Sequence, residues 1–296
     1  MKAIWVYENI TGYDNFYSKF NITLLVTSAC LWRKYHPNHK LELHLDEQTF
    51  NKFLSLDILN LWHDVKPLDY KDRINRQVLW AGCKSKIVSK ATEPFAIIDH
   101  DFLIFNNIDE YLKDSVIYTH DEDMSAWYIE PRDEYNQKLT NPIEYTQDLA
   151  ANVSFLYLPD PSFAQKYGNR VIQNLTEFTS LLGENINPGY MTMSEQYMLK
   201  NWLVKFNIKH KTLSKNIFSC KDIQYSQNEN DRGIWNLSDS FRYFKHYGIN
   251  KRKILDDRPN FGYNEAMSFL YRCINASKTI NVDYFNSKLL SNINGR

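Results

Sequence analysis

The sequence predicts an α/β chain, and three observations carry that expectation. Strand, helix and strand follow one another within the first 46 residues, the order that makes a parallel pair. Phe95-Ala96-Ile97-Ile98 is a short aromatic and β-branched run, the composition of a strand buried on both faces. That run ends on Asp99-His100-Asp101, and ligand sites of open α/β sheets lie beyond the carboxyl ends of strands.

Taken in order, Ala3 to Tyr7 is the first buried strand. A polar turn through Asn9 and Gly12 leads to Ile22, Leu25, Val26, Ala29 and Trp32, whose spacing marks an apolar helical face. Pro37 ends that helix and disfavours helical geometry at His36. Leu41 to Leu45 alternates apolar and polar residues as the second strand. Thr49 to Leu61 reads as helix, and Asp64 to Leu68 as a short strand ending near Pro67. Ile74, Val78, Ala81 and Ile87 predict a helix from about Asn75 to Lys90, decorated by Lys84, Lys86 and Lys90.

Beyond the central strand, Phe102 to Phe105 and Ser115 to Thr119 are further strands. His120-Asp121-Glu122-Asp123 reads as a solvated acidic loop. Trp127 to Gln147 is polar, irregular and aromatic; so long a loop in a compact domain is usually functional, and we read it as part of an acceptor pocket. Asn152 to Leu158 is an apolar strand that opens on a polar residue. Phe163, Tyr167, Val171, Leu175, Phe178 and Leu182 make one face of a helix that Gly183 stops. Thr192-Met193-Ser194-Glu195 has the spacing of a capping box, opening a helix with Leu199, Trp202, Leu203 and Phe206 inward. Ile208 to Leu213 is a strand, Lys221 to Asp231 a polar linker, and the residues after Asp257 a helical tail.

Composition narrows the function. The 296 residues are 43% hydrophobic, enough for a sizeable core. Lysine plus arginine and aspartate plus glutamate are 35 each, so no basic surface of the kind that binds nucleic acid is expected. Cys30, Cys83, Cys220 and Cys273 show no Cys-x-x-Cys spacing, which fits reduced thiols in a cytoplasmic protein. The apolar run at the start is too short for a signal peptide, and no stretch approaches the roughly 20 residues of a membrane span.

Two carboxylates one residue apart at a strand end can face one ligand if the chain stays extended, because residues i and i+2 then point the same way. Hard oxygen donors suit Mg²⁺ or Mn²⁺, ions often shared with phosphate oxygens. An Asp-x-Asp triplet also serves as a plain turn that bonds its own backbone. What favours the ligand reading is the order of further pieces: Lys84, then Asp99-His100-Asp101, Asn152-Val153-Ser154, Glu195-Gln196, and His246-Tyr247-Gly248-Ile249-Asn250-Lys251.

In that order the chain resembles the GT-A glycosyltransferases of the retaining, glycogenin-like family 8 and their bacterial relatives, from about Ala3 to Lys251. The resemblance implies a Rossmann-like GT-A domain over 1–254, with a mixed central sheet flanked by helices, and a helical tail over 255–296 packed on it. It implies a hexosyltransferase that moves a sugar from a nucleotide-diphosphate sugar to a saccharide or other hydroxyl acceptor. Asp99 and Asp101, as the DxD motif, would hold Mn²⁺ (or Mg²⁺) and the nucleotide, with His246 as third metal ligand. Lys251 and Lys84 would contact the diphosphate, Tyr7 would lie where the base sits, and Asn152, Glu195 and Gln196 would surround the sugar. The chain departs from the pattern in three places. Gly248 and Lys251 are two and five residues after His246, one short of the family spacing. Ser154 stands where the family has glycine, and the proline and tryptophan that often follow the lysine are absent.

Chemistry points the same way: a nucleoside diphosphate leaves readily only when its charge is neutralised, by a divalent ion and lysines. Two alternatives stay open. A nucleotidyltransferase also uses strand-end acids and a metal, but Glu8-Asn9-Ile10-Thr11-Gly12-Tyr13 lacks that class's Gly-rich, cationic loop. A non-catalytic protein that kept the fold to bind a sugar or partner would be expected to have lost Asp101 or Gln196.

Overall fold

The computed structural model describes residues 1–8, 19–69, 71, 73–123, 137–142, 148–183, 189–218, 223–224, 233–235, 243–247, 259–274 and 281–293. The α/β class is as expected: parallel and antiparallel strand pairs both occur, and helices flank them. The chain divides into two compact units. Met1–Leu68, Ile98–Asp109 and Phe241–Arg296 form the first; Asp69–Ile97 and Glu110–Ser240 form the second.

The first unit opens with strand β1 (Lys2–Tyr7), helix α1 (Lys19–Tyr35) and strand β2 (Lys40–Leu45). β1 and β2 pair in parallel with Tyr7 opposite Leu45, as the strand–helix–strand order predicts. Strand β3 (Asp64–Pro67) adds in parallel to β2. Glu42 sits buried in this array, held by His44 Nε2 (2.6 Å), Lys66 Nζ (2.7 Å) and Lys2 Nζ (3.5 Å). α1 is buried all round from Phe20 to Trp32, more than one apolar face predicts. The reason is helix α7 (Pro259–Ile274), which packs on it; Thr27 Oγ1 donates to the Ala266 carbonyl at 3.4 Å. The tail thus begins as a helix, and a second one, α8 (Val282–Ile293), follows. Ser28 joins α1 to strand β5 (Phe102–Ile104): its hydroxyl accepts from Trp5 Nε1 (3.0 Å) and donates to the Phe102 carbonyl (2.7 Å).

One expected helix in this unit is shorter. Thr49 to Leu61 is helix α2 (Glu47–Ser55) followed by a 3₁₀ turn (Leu59–Leu61). Asp46 caps α2, accepting from the Thr49 N–H at 2.8 Å. Asp57 breaks the run at φ 56°, a left-handed conformation that aspartate tolerates better than most residues.

In the second unit, strand β4 (Phe95–Ile98, its last residue in the first unit) neighbours strand β7 (Leu149–Leu158). β7 pairs antiparallel with strand β6 (Val116–Asp123), and β6 takes strands β8 (His210–Ser214) and β9 (Ile217–Phe218) in parallel. The short strands β10 (Ile223–Gln224) and β11 (Gly233–Trp235) pair with β9 and β8. β10 lies within the stretch read as a linker. Helix α4 (Pro161–Leu182) ends at Gly183, with φ 57°, as its apolar face and glycine predict. It crosses helix α3 (Gly82–Val88) so closely at Gly168 that a Cβ there would meet Ser89 N at 2.5 Å and Ser85 O at 2.8 Å.

Three expectations in this unit are corrected. The helix read from Asn75 to Lys90 is α3 alone. Residues 75–79 close one turn (Leu79 N to Asn75 O, 2.9 Å), and Ile74 folds against Gly82, where α3 starts. The acidic loop His120 to Asp123 is instead the second half of β6, beyond a bulge at Thr119. Its polar groups have partners: Asp121 accepts from Lys200 Nζ and Tyr118 OH, both at 2.6 Å, and the His120 ring packs on Phe218 at 4.0 Å. The capping box is absent. Thr192 is itself helical and its hydroxyl donates to the Gly189 carbonyl (2.9 Å), one turn back. Glu195 lies inside a π-helical turn, Met193–Tyr197, between helix α5 (Gly189–Thr192) and helix α6 (Met198–Lys205).

Candidate functional site

In the first unit, Asp99-His100-Asp101 makes a tight turn between β4 and β5: the Phe102 N–H donates to the Asp99 carbonyl at 3.0 Å. The chain is therefore not extended there, and the i, i+2 alternation does not apply. Asp101 is buried while Asp99 is half-buried. Strand β12 (Phe244–His246) pairs antiparallel with β5, His246 opposite Phe102, and the Tyr247 N–H donates to the Asp101 carbonyl at 3.2 Å. Residues remote in sequence are thereby fixed beside the acids. Tyr247 is held by Glu265, which accepts from its hydroxyl at 2.7 Å. Burial, then that carboxylate, keep the phenol protonated far above its ordinary range.

Tyr7 ends β1 next to this turn. It is fully buried, its ring 5.4 Å from Phe53 and 5.2 Å, edge-on, from His100. Glu8 follows it, also buried, a carboxylate at a strand end that the sequence reading passed over because it sits in a polar turn.

The second unit gathers Lys84, Asn152 and Glu195. Lys84, on α3, donates to the Val153 carbonyl at 2.8 Å and lies 3.4 Å from Glu195 Oε1. Asn152, mid-strand rather than at a strand start, donates from Nδ2 to Glu122 Oε1 at 2.7 Å, and its Oδ1 accepts from the Ser154 N–H at 3.2 Å. Tyr167 OH donates to the Glu195 carbonyl, within the π turn, at 2.9 Å. Gln196, next in that turn, is half-buried. Glu122 is the partner that sequence reasoning missed; once His120 to Asp123 is a strand, its pairing with β7 gives it away.

Lys251, the 248–250 stretch before it, and most of Trp127 to Gln147 lie outside the described residues. As a donor set, two carboxylates and an imidazole suit Mn²⁺. In this arrangement the ligand atoms of Asp99, Asp101 and His246 are not all within 4.8 Å of one another; among the described residues only His36, His39 and Asp109 meet that condition. An ion held by all three residues at the turn requires at least one of them to move. Among the described residues no helix is long and apolar enough to cross a membrane.

No protein-family model matches the chain, and no curated protein sequence does. Among solved structures it is similar to the galactosyltransferase LgtC in complex with donor and acceptor sugar analogues, at 10% identity and TM-score 0.37 over 67% of this chain and 71% of that one. It is also similar to the glycosyltransferase GlyE of Streptococcus pneumoniae TIGR4, at 13% identity and TM-score 0.37, over 72% of this chain and 44% of that one, less than half its length. At such TM-scores the likeness carries no argument, and the functional reading rests on the residues themselves.

Proposed function

We propose that the chain is a glycosyltransferase of the GT-A type, moving a sugar from a nucleotide-diphosphate sugar to an acceptor hydroxyl with retention of configuration. The observation that carries this reading is the β5–β12 pairing, which sets His246 opposite Phe102 and so beside the Asp99-His100-Asp101 turn. A lone Asp-x-Asp is a common turn; one backed in register by the histidine that the family resemblance singled out is much less so.

The roles divide by residue. Asp99, Asp101 and His246, once at least one of them moves from its present position, would hold a divalent ion whose chemistry is to neutralise charge on the leaving diphosphate. Lys84 ties the Glu195 carboxylate to the strand that carries Asn152, a rigid polar set of the kind that orients a sugar. Gln196, adjacent to Glu195, is the uncharged side chain assigned to the reacting sugar. Lys251 remains part of the proposal as a phosphate contact. A reducing, cytoplasmic setting accords with Cys30 and Cys83, which are buried and unbridged.

The test is a panel of nucleotide sugars incubated with the protein and Mn²⁺, with and without candidate sugar acceptors, reading nucleoside diphosphate release. Release from one donor that disappears in Asp101→Asn supports the reading. No release from any donor, together with no Mn²⁺-dependent binding of any nucleoside diphosphate, rejects it.

A further inference from the structure

At the end of β5 away from Asp101, another group of side chains converges. α1 closes with the His36 N–H donating to the Trp32 carbonyl at 2.7 Å, and His36-Pro37-Asn38-His39 then turns back, the His39 N–H donating to the His36 carbonyl at 3.0 Å. Proline at the second position of such a turn presets its geometry. The two imidazoles consequently stack, 5.1 Å apart and 11° from parallel, and the Trp32 ring covers His36 at 4.0 Å. Asp109 arrives from the segment after β5. Asn107 fixes it, accepting from the Asp109 N–H at 2.8 Å while donating to the Tyr35 carbonyl at 2.7 Å. Asp109 Oδ1 lies 2.7 Å from His36 Nδ1 and 3.2 Å from His39 Nε2.

We propose that His36, His39 and Asp109 form a second divalent-cation site, of the Zn²⁺ type, that clamps the end of α1 to the segment following β5. One ligand atom from each of the three residues falls within 4.8 Å of the others. Ligands about 2.0–2.2 Å from a tetrahedral zinc stand roughly 3.3 Å apart, and the two spacings from Asp109 Oδ1, 2.7 and 3.2 Å, are close to that value. Two imidazoles and a carboxylate are an N/O donor set that zinc accepts. The His36 side chain is fully buried and that of His39 11% exposed, so the ring nitrogens that face Asp109 are largely shielded from solvent. The alternative is a hydrogen bond from a neutral ring, His36 Nδ1–H to Asp109 Oδ1 at 2.7 Å, which the experiment below separates from a metal site. The Asp109 side chain is 45% exposed, which leaves an entry path and a fourth position for water. The site shares no residue with the Asp99–Asp101 turn.

The experiment uses tag-free full-length chain, stripped with chelator and carrying Asp101→Asn so that the turn does not compete. Co²⁺ is titrated in and its visible absorption recorded, then Zn²⁺ is added. The expected result is one Co²⁺ per chain with the strong visible bands of a low-coordinate site, displaced by Zn²⁺. Adding Asp109→Asn should weaken binding by at least about tenfold, since even changes beside a ligand cost that much. Asp109 is half-exposed, so its amide variant keeps the fold, checked by circular dichroism; His39→Ala gives a second removal. No Co²⁺ uptake by the Asp101→Asn chain, or uptake unchanged by both Asp109→Asn and His39→Ala, overturns the proposal and leaves a hydrogen-bonded helix cap.

Discussion

The Lys84 ammonium and the Glu195 carboxylate face each other at 3.4 Å with both side chains almost wholly buried. Each charge is tolerable there because of the other. Removing one leaves an uncompensated buried charge, which typically costs about 3–5 kcal/mol. Lys84→Met is therefore expected to lose stability on that scale in urea denaturation, and Lys84→Met with Glu195→Leu to recover part of it. A loss below about 1 kcal/mol in the single variant would mean that the pair is hydrated and not a fixed part of the site.

Asp101→Asn is expected to remove Mn²⁺-dependent binding of a nucleoside diphosphate while preserving the fold. His246→Ala should weaken it less, since one charge-assisted contact contributes about 1.5–3 kcal/mol. Isothermal calorimetry measures both. Wild-type affinity in Asp101→Asn would remove the metal role from the turn.

The local periodicities were legible in the sequence because neighbours in the chain enforce them. β1, α1 and β2, the α4 helix with its Gly183 stop, and the acids at the end of β4 all follow from spacing and stop signals. What failed was decided by residues far along the chain. Thr192 to Glu195 matches a capping box locally, but Lys84 and Tyr167 hold Glu195 inside a π turn. His120 to Asp123 is as acidic as a loop, yet Asn152 and Lys200 partner its charges and make it strand. The His36–Asp109 contact spans 73 positions, and no motif announces it.

Glu42 should shape the acid limb of stability. Burial alone would raise its carboxyl, but hydrogen bonds from His44 and Lys66, with the charge of Lys2, hold it at about 2 against an ordinary 4.5. Because the folded value is depressed, its stabilisation is complete above pH 4.5 and is lost as pH falls toward 2. The effect is about 1–3 kcal/mol, nearer the lower figure because Lys66 is half-exposed and screened. Chemical denaturation from pH 6 down to pH 3 should show a shallower decline in Glu42→Gln than in wild type; parallel curves would exclude this carboxylate as a determinant.

Gly168 sets the approach of α4 to α3, the helix that carries Lys84. The atoms a Cβ would strike are backbone, Ser89 N and Ser85 O, so no side chain can swing away. Gly168→Ala is expected to cost about 1–3 kcal/mol through overpacking, despite alanine's better helix propensity. Thermal denaturation followed by circular dichroism reads it, and a variant as stable as wild type would show that the helices separate freely.

The last prediction is stereochemical and rests on the proposed transfer reaction. An inverting enzyme needs a carboxylate base poised to deprotonate the acceptor hydroxyl. Glu195 is the acid beside Gln196, and its carboxylate lies 3.4 Å from the Lys84 ammonium. A carboxylate held in that contact would have to leave the lysine to reach an acceptor hydroxyl. Gln196 cannot take a proton, but its amide oxygen can stabilise positive charge developing on the sugar ring. An α-linked donor should then yield an α-linked product. Gln196→Ala should lower kcat by roughly 10²–10³, the scale for losing one stabilising dipole, with little change in donor affinity. Glu195→Gln should act mainly on stability, by unpairing Lys84. Proton NMR of freshly formed product reports the anomeric configuration. A β-linked product, with Glu195→Gln folded but inactive, would make Glu195 the base and the enzyme an inverting one.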